Sequence, residues 1–302
     1  MTDSGKIVVV IGDVMNDVVV DPLGPVFPDS DTVSRIRRVA GGSGANQAAW
    51  LGYLGVRCRF IGRVGRNDAD RHRSAFVAAF VEPMLAVDDE VDTGTVVSVV
   101  GADRRSMYSD RGANARLGPA DLPDTALADA GLLHLSGYVL FAEPSRTAVI
   151  EFRDRAVRRG CAVSVDPSSE SLLRAAGPES FLAATAGADL CFPNVDEARA
   201  LSDRADPVDA ARALTAYYGT VIVTLGPAGC VVAQRDVEPL VVAAPKASTV
   251  DPTGAGDAFS AAYLRGWLDG ADPQLCARNG VEAGARCAGR IGGRPPVDRV
   301  AG

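Results

Sequence analysis

Residues 248–259 read Ser-Thr-Val-Asp-Pro-Thr-Gly-Ala-Gly-Asp-Ala-Phe. The small residues Gly254, Ala255 and Gly256 run straight into an apolar helical pattern, which leaves backbone N–H groups bare at a helix N-terminus. Such an end attracts anions, because the amides point outward and the helix dipole is positive there. Asp257 follows at once. A carboxylate beside a bound anion is unfavourable unless it has a proton to take. Together the features suggest phosphoryl transfer, with amides to cradle the moving group and Asp257 as base for the attacking hydroxyl. The plainer reading is a glycine turn whose aspartate complements the helix dipole.

A second carboxylate stands where ligands bind. Residues 6–11 form a continuous apolar, β-branched run that ends at Gly12-Asp13-Val14-Met15-Asn16-Asp17. Such a run marks a strand covered on both faces. Polar groups beyond its carboxyl end face the crevice where open α/β sheets take their ligands. Asp17 is therefore placed to hold substrate hydroxyls, or else to close a turn. Further on, Gly41-Gly42-Ser43-Gly44-Ala45-Asn46 opens a helix of small residues, which lets backbone and ligand approach closely.

Spacing excludes two rival phosphate-binding motifs. A dinucleotide fingerprint would need glycine at 47 or 259, where the chain has Gln47 and Phe259. A Walker A motif would need a lysine after its glycines, and the two lysines, Lys6 and Lys246, complete none.

Residues 251–257, with Pro252 at the second position and an intact G-A-G-D at the end, resemble the C-terminal signature of the ribokinase-like, or PfkB, family of carbohydrate and nucleoside kinases. Residues 41–48 resemble its N-terminal signature, with Ser43 where ribokinase itself has lysine, a departure that argues against ribose as the substrate. The resemblance covers residue 6 to about residue 296. It implies that Asp17, Gly41, Gly42 and Asn46 contact the acceptor. Relatives carry an asparagine two residues before the aspartate; here that slot is Met15, and Asn16 is out of phase. The resemblance further implies that Asn194 and Glu197, an N-x-x-E element, order magnesium-bound water and phosphate, with helix capping as the plainer role. Thr224, Gly226 and Gly229 match the turn of the nucleotide site, Asn279 an adenine contact, and Asp251 a neighbour of a monovalent cation, K+. ATP and Mg2+ are the implied co-substrate and metal.

The positioning elements follow from pattern. Residues 18–39 are short β-prone pieces broken by Pro22, Gly24, Pro25 and Pro28, and read as a flap. Residues 94–101 and 105–109 read as a hairpin around residues 102–104; together these segments, about 18–39 and 94–111, form the small β lid of a single domain spanning 1–302. Arg104, Arg105 and Arg111 are guanidinium groups able to clamp an anion, or charges that protect an edge strand. Strands are expected at residues 57–64, 131–137, 162–166, 188–192 and 221–232, the last broken by a glycine turn. Helices are expected at 68–80, 145–159 and 272–289. This alternation predicts an α/β fold with a doubly wound, mostly parallel sheet flanked by helices.

Composition closes off other classes. With 302 residues, 47% of them hydrophobic, the chain can fill a sizeable core. A formal charge of −7 with scattered basic residues excludes a nucleic-acid footprint. No apolar run approaches the roughly 18 residues of a membrane span, and the opening residues leave no room for a signal peptide, so a cytoplasmic protein is expected. The six cysteines are far apart and read as small buried hydrophobes, and His134 as a core histidine. The expected function is an ATP-dependent kinase acting on a hydroxyl of a small sugar or sugar derivative. A nucleoside kinase of the same family, with Phe27 and Tyr108 as lid aromatics, and a catalytically silent sugar or nucleotide sensor are the alternatives. The oligomeric state is left open, although the resemblance allows a homodimer through the lid, whose exposed β edge can pair.

Overall fold

The structure, a computed structural model, describes residues 6–27, 29–100 and 105–296. Arg104 and the turn expected at residues 102–104 lie outside them. The strands are β1 Ile7–Ile11, β2 Met15–Pro22, β3 Ser34–Gly41, β4 Cys58–Gly65, β5 Val81–Asp88, β6 Thr93–Val100, β7 Arg105–Gly112, β8 Ala130–Ser136, β9 Ala162–Asp166, β10 Leu190–Cys191, β11 Thr220–Thr224, β12 Cys230–Gln234 and β13 Leu240–Val242. The α-helices are α1 Ser43–Tyr53, α2 Ala69–Ala78, α3 Ser145–Arg158, α4 Glu170–Ala176, α5 Pro178–Thr185, α6 Val195–Ser202, α7 Pro207–Leu214, α8 Ala255–Leu268 and α9 Pro273–Ala288.

One sheet runs in the order β13-β12-β11-β10-β9-β8-β1-β4-β5. From β11 to β5 every pairing is parallel, and β12 and β13 add antiparallel strands at the other edge. β1 lies inside the sheet, and its five residues are all buried. Ile7, Val9 and Ile11 pack with Phe152 of α3, Phe181 of α5 and Leu214 of α7. Val8 and Val10 face the opposite layer, with Trp50 of α1, Phe76 of α2, Tyr263 of α8 and Cys276 of α9. Strand alternation thus sends one apolar run into two cores, as a sheet covered by helices on both faces requires. The expected doubly wound architecture is present.

Strand β5 was not legible beforehand. It carries Pro83, which lacks the N–H that an interior strand would donate, and it occupies the sheet edge, where that loss is tolerated. The preceding helix stops at Ala78 rather than running to residue 80, because Phe80 takes a left-handed φ of 62° and turns the chain into β5.

The flap and hairpin segments join in a second sheet of order β3-β2-β6-β7, in which Asp17 stands opposite Val39 on one side and Val96 on the other. All six cysteines are free and buried. His134 is fully buried, with Nδ1 2.7 Å from Ser164 Oγ and Nε2 3.0 Å from Gln47 Oε1. Among the described residues no helix is long and apolar enough to cross a membrane.

Candidate active site

Helix α8 begins where the sequence places the anion cradle. Gly254, at its N-cap, has φ 75°, and a Cβ there would sit 2.3 Å from the Cα of Gly293, so glycine is required on two counts. Asp251 braces the approach: its Oδ1 accepts from the Thr253 amide at 3.0 Å and hydroxyl at 2.6 Å, and its Oδ2 accepts from the Gly292 amide at 3.0 Å. The Ala255 amide donates to Pro252 O at 3.2 Å. This differs from the expected set of three amides, because the turn itself uses that donor. Gly254 and Gly256 both border the cavity described below.

Asp257 occupies the first turn of α8 and is buried. Its Oδ1 accepts from Ser43 Oγ at 2.7 Å, and its Oδ2 from Asn46 Nδ2 at 2.9 Å. Burial, reinforced by the charge of Asp166, pushes its pKa up to about 8, while the Asn46 and Ser43 bonds pull the other way. The carboxylate is thus tuned towards the range in which a general base can both take and release a proton. Asn46 keeps its other amide atom, Oδ1, buried without a hydrogen-bond partner, an acceptor facing no protein donor.

The residues that deliver Ser43 and Asn46 do so through glycine contacts. A Cβ on Gly12 would lie 2.6 Å from Gly44 Cα, and the converse holds, so the start of α1 lies directly against the end of β1. Gly42 takes φ 96°, and a Cβ there would meet Asp13 O at 2.5 Å. At Gly41 a Cβ would fall 2.1 Å from Asp17 Oδ2, so the missing side chain is the space that the Asp17 carboxylate fills. Asn16 points elsewhere: its Nδ2 donates to Asp68 Oδ2 at 2.6 Å. The Met15 sulfur accepts from Asn114 Nδ2 at 3.3 Å.

Asn194 and Glu197 form a capping box at the start of α6. Asn194 Oδ1 accepts from the Asp196 and Glu197 amides at 2.9 and 3.0 Å, and Glu197 Oε2 accepts from the Asn194 amide at 2.9 Å. The capping role is therefore real, and it fixes both side chains on the wall of a cavity of about 140 Å3 that also meets Ser43, Asp166, Gly254, Gly256 and Asp257. Asp166 is the group that sequence reasoning missed. It ends β9, and its oxygens accept from the Ser168 amide at 2.8 Å and from Gln47 Nε2 at 2.7 Å. Its signal was available: a carboxylate at the carboxyl end of an interior parallel strand, the same reasoning that pointed to Asp17. Burial raises the pKa of both Asp166 and Glu197, and the charge of Glu197 adds to the rise at Asp166.

Three buried carboxyl groups around one cavity favour a cation that would relieve them. Among the described residues no three His, Cys, Asp or Glu side chains converge into a ready-made cage. That combination suits Mg2+, which keeps several waters and takes one or two protein carboxylates together with substrate phosphates.

Across Thr224 and Gly256 lies a larger cavity, about 410 Å3, bordered by Gly226, Gly229, Lys246, Val281, Gly284 and Ala285. Gly229 has φ 110°, and a Cβ there would stand 1.9 Å from Val242 O. Thr224, Gly226 and Gly229 are thus brought together as expected. Asn279 does not join them: its amide lies beside Gly266 of α8, 3.4 Å from where a Cβ would be, and the α9 residues on the cavity are Val281, Gly284, Ala285 and Ala288.

On the side of the smaller sheet, the guanidinium of Arg111 lies 5.7 Å from the ring centroid of Tyr138. Burial and the nearby Asp13, Asp257, Asp166 and Glu197 hold the Tyr138 phenol above its ordinary pKa, which places this unforeseen tyrosine beside the acidic pocket. Phe27 and Tyr108 are exposed.

A family model described as pfkB family carbohydrate kinase matches residues 6–299. A fructokinase of Klebsiella pneumoniae is 34% identical over 265 residues, covering 84% of this chain and 83% of its own. The adenosine kinase from Sinorhizobium meliloti superposes with a TM-score of 0.85 at 25% identity, covering 96% and 95% of the two chains. The fructokinase from Vibrio cholerae O395, solved in a fructose-, ADP- and calcium-bound form, superposes with a TM-score of 0.83 at 24% identity over 99% and 98% of the chains. At that identity the likeness is one of fold.

Proposed function

This chain belongs to the pfkB family of carbohydrate kinases, and we propose on that premise that it transfers the γ-phosphate of ATP to a hydroxyl of a small sugar or sugar derivative. The observation that carries the reading is Asp257, a buried carboxylate with a raised pKa in the first turn of α8, gripped by Ser43 and Asn46 on the wall of the smaller cavity.

Phosphoryl transfer asks a protein for alignment, charge neutralisation and a proton acceptor, and for little covalent chemistry. Asp17, Gly41, Gly42 and the open Asn46 Oδ1 fix the acceptor's hydroxyls. Asp257 takes the proton of the attacking hydroxyl as its oxygen bonds to the γ-phosphorus and the bond from that phosphorus to the ADP oxygen breaks, ADP leaving with the electron pair. The amides of Gly254 and Gly256 stabilise the transferring group, with Ala255 joining if its turn bond opens. ATP lies in the larger cavity against Thr224, Gly226 and Gly229. Glu197, Asn194 and Asp166 would hold Mg2+, which when bound would supply neutralisation of the phosphate charge. Asp251 shapes the loop beside a K+ site. The chain acts as one domain, with β2, β3, β6 and β7 closing as a lid over the acceptor to exclude water, and the lid edges pair two copies.

A nucleoside acceptor is the second reading, favoured by the adenosine kinase likeness. The exposure of Phe27 and Tyr108 counts against a stacked base. The test is ATP consumption with Mg2+ and K+ across free sugars, sugar acids, sugar phosphates and nucleosides. One strong acceptor supports the kinase reading and names the class; the absence of turnover on every acceptor, with ATP bound, overturns it in favour of a sensor.

A further inference from the structure

Ser164 lies two residues before Asp166 on β9, on the same face of the strand. In register it stands beside His134 of β8, and His134 stands beside Val10 of β1. That face of the sheet is otherwise apolar, with Val8, Val10 and Leu132 packed in the core on its side. Yet Ser164, His134 and Gln47 of α1 are all fully buried. Polar groups shut away from water are tolerated when hydrogen-bonded, and these three are bonded end to end. Ser164 Oγ lies 2.7 Å from His134 Nδ1, His134 Nε2 lies 3.0 Å from Gln47 Oε1, and Gln47 Nε2 donates at 2.7 Å to Asp166 Oδ2. The string begins inside the core and ends on a carboxylate at the wall of the small cavity.

One donor order satisfies every link. In the ionised form in which a carboxylate serves a metal, Asp166 only accepts. Gln47 must then turn its NH2 to Asp166 and its carbonyl to His134. A carbonyl also only accepts, so His134 carries its proton on Nε2. Burial keeps the ring neutral, its pKa pushed down to about 3, so Nδ1 is bare and accepts from the Ser164 hydroxyl. The Gln47 amide is thereby locked against the half-turn that would set its oxygen against the carboxylate. Asp166 Oδ1 accepts from the Ser168 amide at 2.8 Å, so both carboxylate oxygens are held.

We propose that His134 is a positioning residue: through Gln47 it fixes the Asp166 carboxylate at the cavity, so that a core histidine sets the Mg2+ requirement of the reaction. This role rests on the kinase reading above, in which Asp166 helps to hold Mg2+. Nitrogen NMR of the wild-type protein with Mg2+ and ADP tests the donor order without any variant or turnover. His134, assigned by its loss in His134→Gln, should show a protonated Nε2 and a bare Nδ1; a proton on Nδ1 would reverse the string and overturn the proposal. Kinetics on the acceptor found by the panel test the consequence. His134→Leu leaves the Gln47 carbonyl without a donor, so the Mg2+ concentration for half-maximal rate should rise by about tenfold while the acceptor KM changes by less than about twofold. His134→Gln offers an amide N–H in place of Nε2 and should restore part of the loss. Adding His134→Leu to Gln47→Leu should cost nothing further, because the pair acts as one unit. Equal rises in the Mg2+ requirement and the acceptor KM, with a lowered Tm, would mark His134 as core packing alone and overturn the proposal. If Asp166→Asn raises the Mg2+ requirement and His134→Leu does not, the positioning role falls by itself. If Asp166→Asn leaves that requirement unchanged, the place of Asp166 in the reaction falls first and takes His134 along, and a panel with no acceptor would sink the kinase reading and this role together.

Discussion

Ser43 and Asp257 lie 214 residues apart in the chain and 2.7 Å apart in the fold, with the serine hydroxyl donating to Oδ1. The contact joins the glycine-rich start of α1 to the glycine-rich start of α8. Neither helix end makes a site alone: one supplies donors that hold a carboxylate, the other supplies the carboxylate and the amides beside it.

Asp257→Asn keeps the shape and removes the base. Turnover should fall by roughly 10²–10⁴-fold, the usual worth of general base catalysis, while ATP affinity measured by calorimetry stays near wild type. Near-normal kcat would remove Asp257 from the mechanism.

The pH profile follows from the same residue. With its pKa raised from 3.8 to about 8 by burial, Asp257 should give kcat/KM an acid limb centred near that value in the free enzyme. Ser43→Ala removes a bond that holds the pKa down, so the limb should move to higher pH. A limb that stays in place would disconnect Ser43 from the ionisation.

Stability should carry the opposite trend. Between the unfolded value of 3.8 and the folded value of about 8, the folded chain binds the extra proton, so the contribution of Asp257 is present at low pH and is lost as pH rises through 8. Asp257→Asn has no proton to lose. Melting curves should therefore show the variant gaining on the wild type from acid to mildly alkaline pH, and a gap that does not change with pH would contradict the raised pKa.

Gly41→Ala places a Cβ 2.1 Å from Asp17 Oδ2 in the present geometry, so that carboxylate must move. The acceptor KM should rise by an order of magnitude or more, while ATP KM changes little. Equal effects on both substrates would mean that Asp17 does not read the acceptor.

Asn194→Ala deletes the side chain that caps α6, leaving the Asp196 and Glu197 amides without their acceptor while the backbone amide at 194 still donates to Glu197 Oε2. A loss of about 1 kcal/mol in stability is expected from the cap, together with a higher Mg2+ requirement. A stability loss with unchanged Mg2+ dependence would leave Asn194 and Glu197 as a cap and nothing more.

The parts that were legible in the sequence are those in which local composition and function coincide. The G-A-G-D run announces a helix start and the carboxylate proposed as base in the same few residues, and the uninterrupted apolar run of β1 announces a buried strand with Asp17 just beyond it. Strand β5 was hidden because Pro83 reads as a strand breaker until its edge position is known. The position of Asp166 at the end of β9 was legible, but its partners, Gln47 and Glu197, come from α1 and α6, so the cluster it joins exists only after folding. Arg294 looked like one more scattered basic residue; its burial without a partner belongs to the tertiary structure alone. Asn279 shows the converse, a residue matched by position in the chain whose side chain faces α8 instead of the cavity proposed for the nucleotide.

The six sealed thiols turn the molecule into its own opening gauge. Burial holds Cys230 and Cys287 at about 12, so almost no reactive thiolate exists in the closed protein, and a thiol reagent can label only what has come apart. Cys287 is the informative one. Its sulfur lies 3.5 Å from Thr253 O and 3.8 Å from Gly293 O, beside the turn that leads into α8. Its labelling rate, compared with that of Cys58 in β4, would separate local breathing of that loop from unfolding of the whole sheet, and a ligand that seats on the loop would slow the first without touching the second.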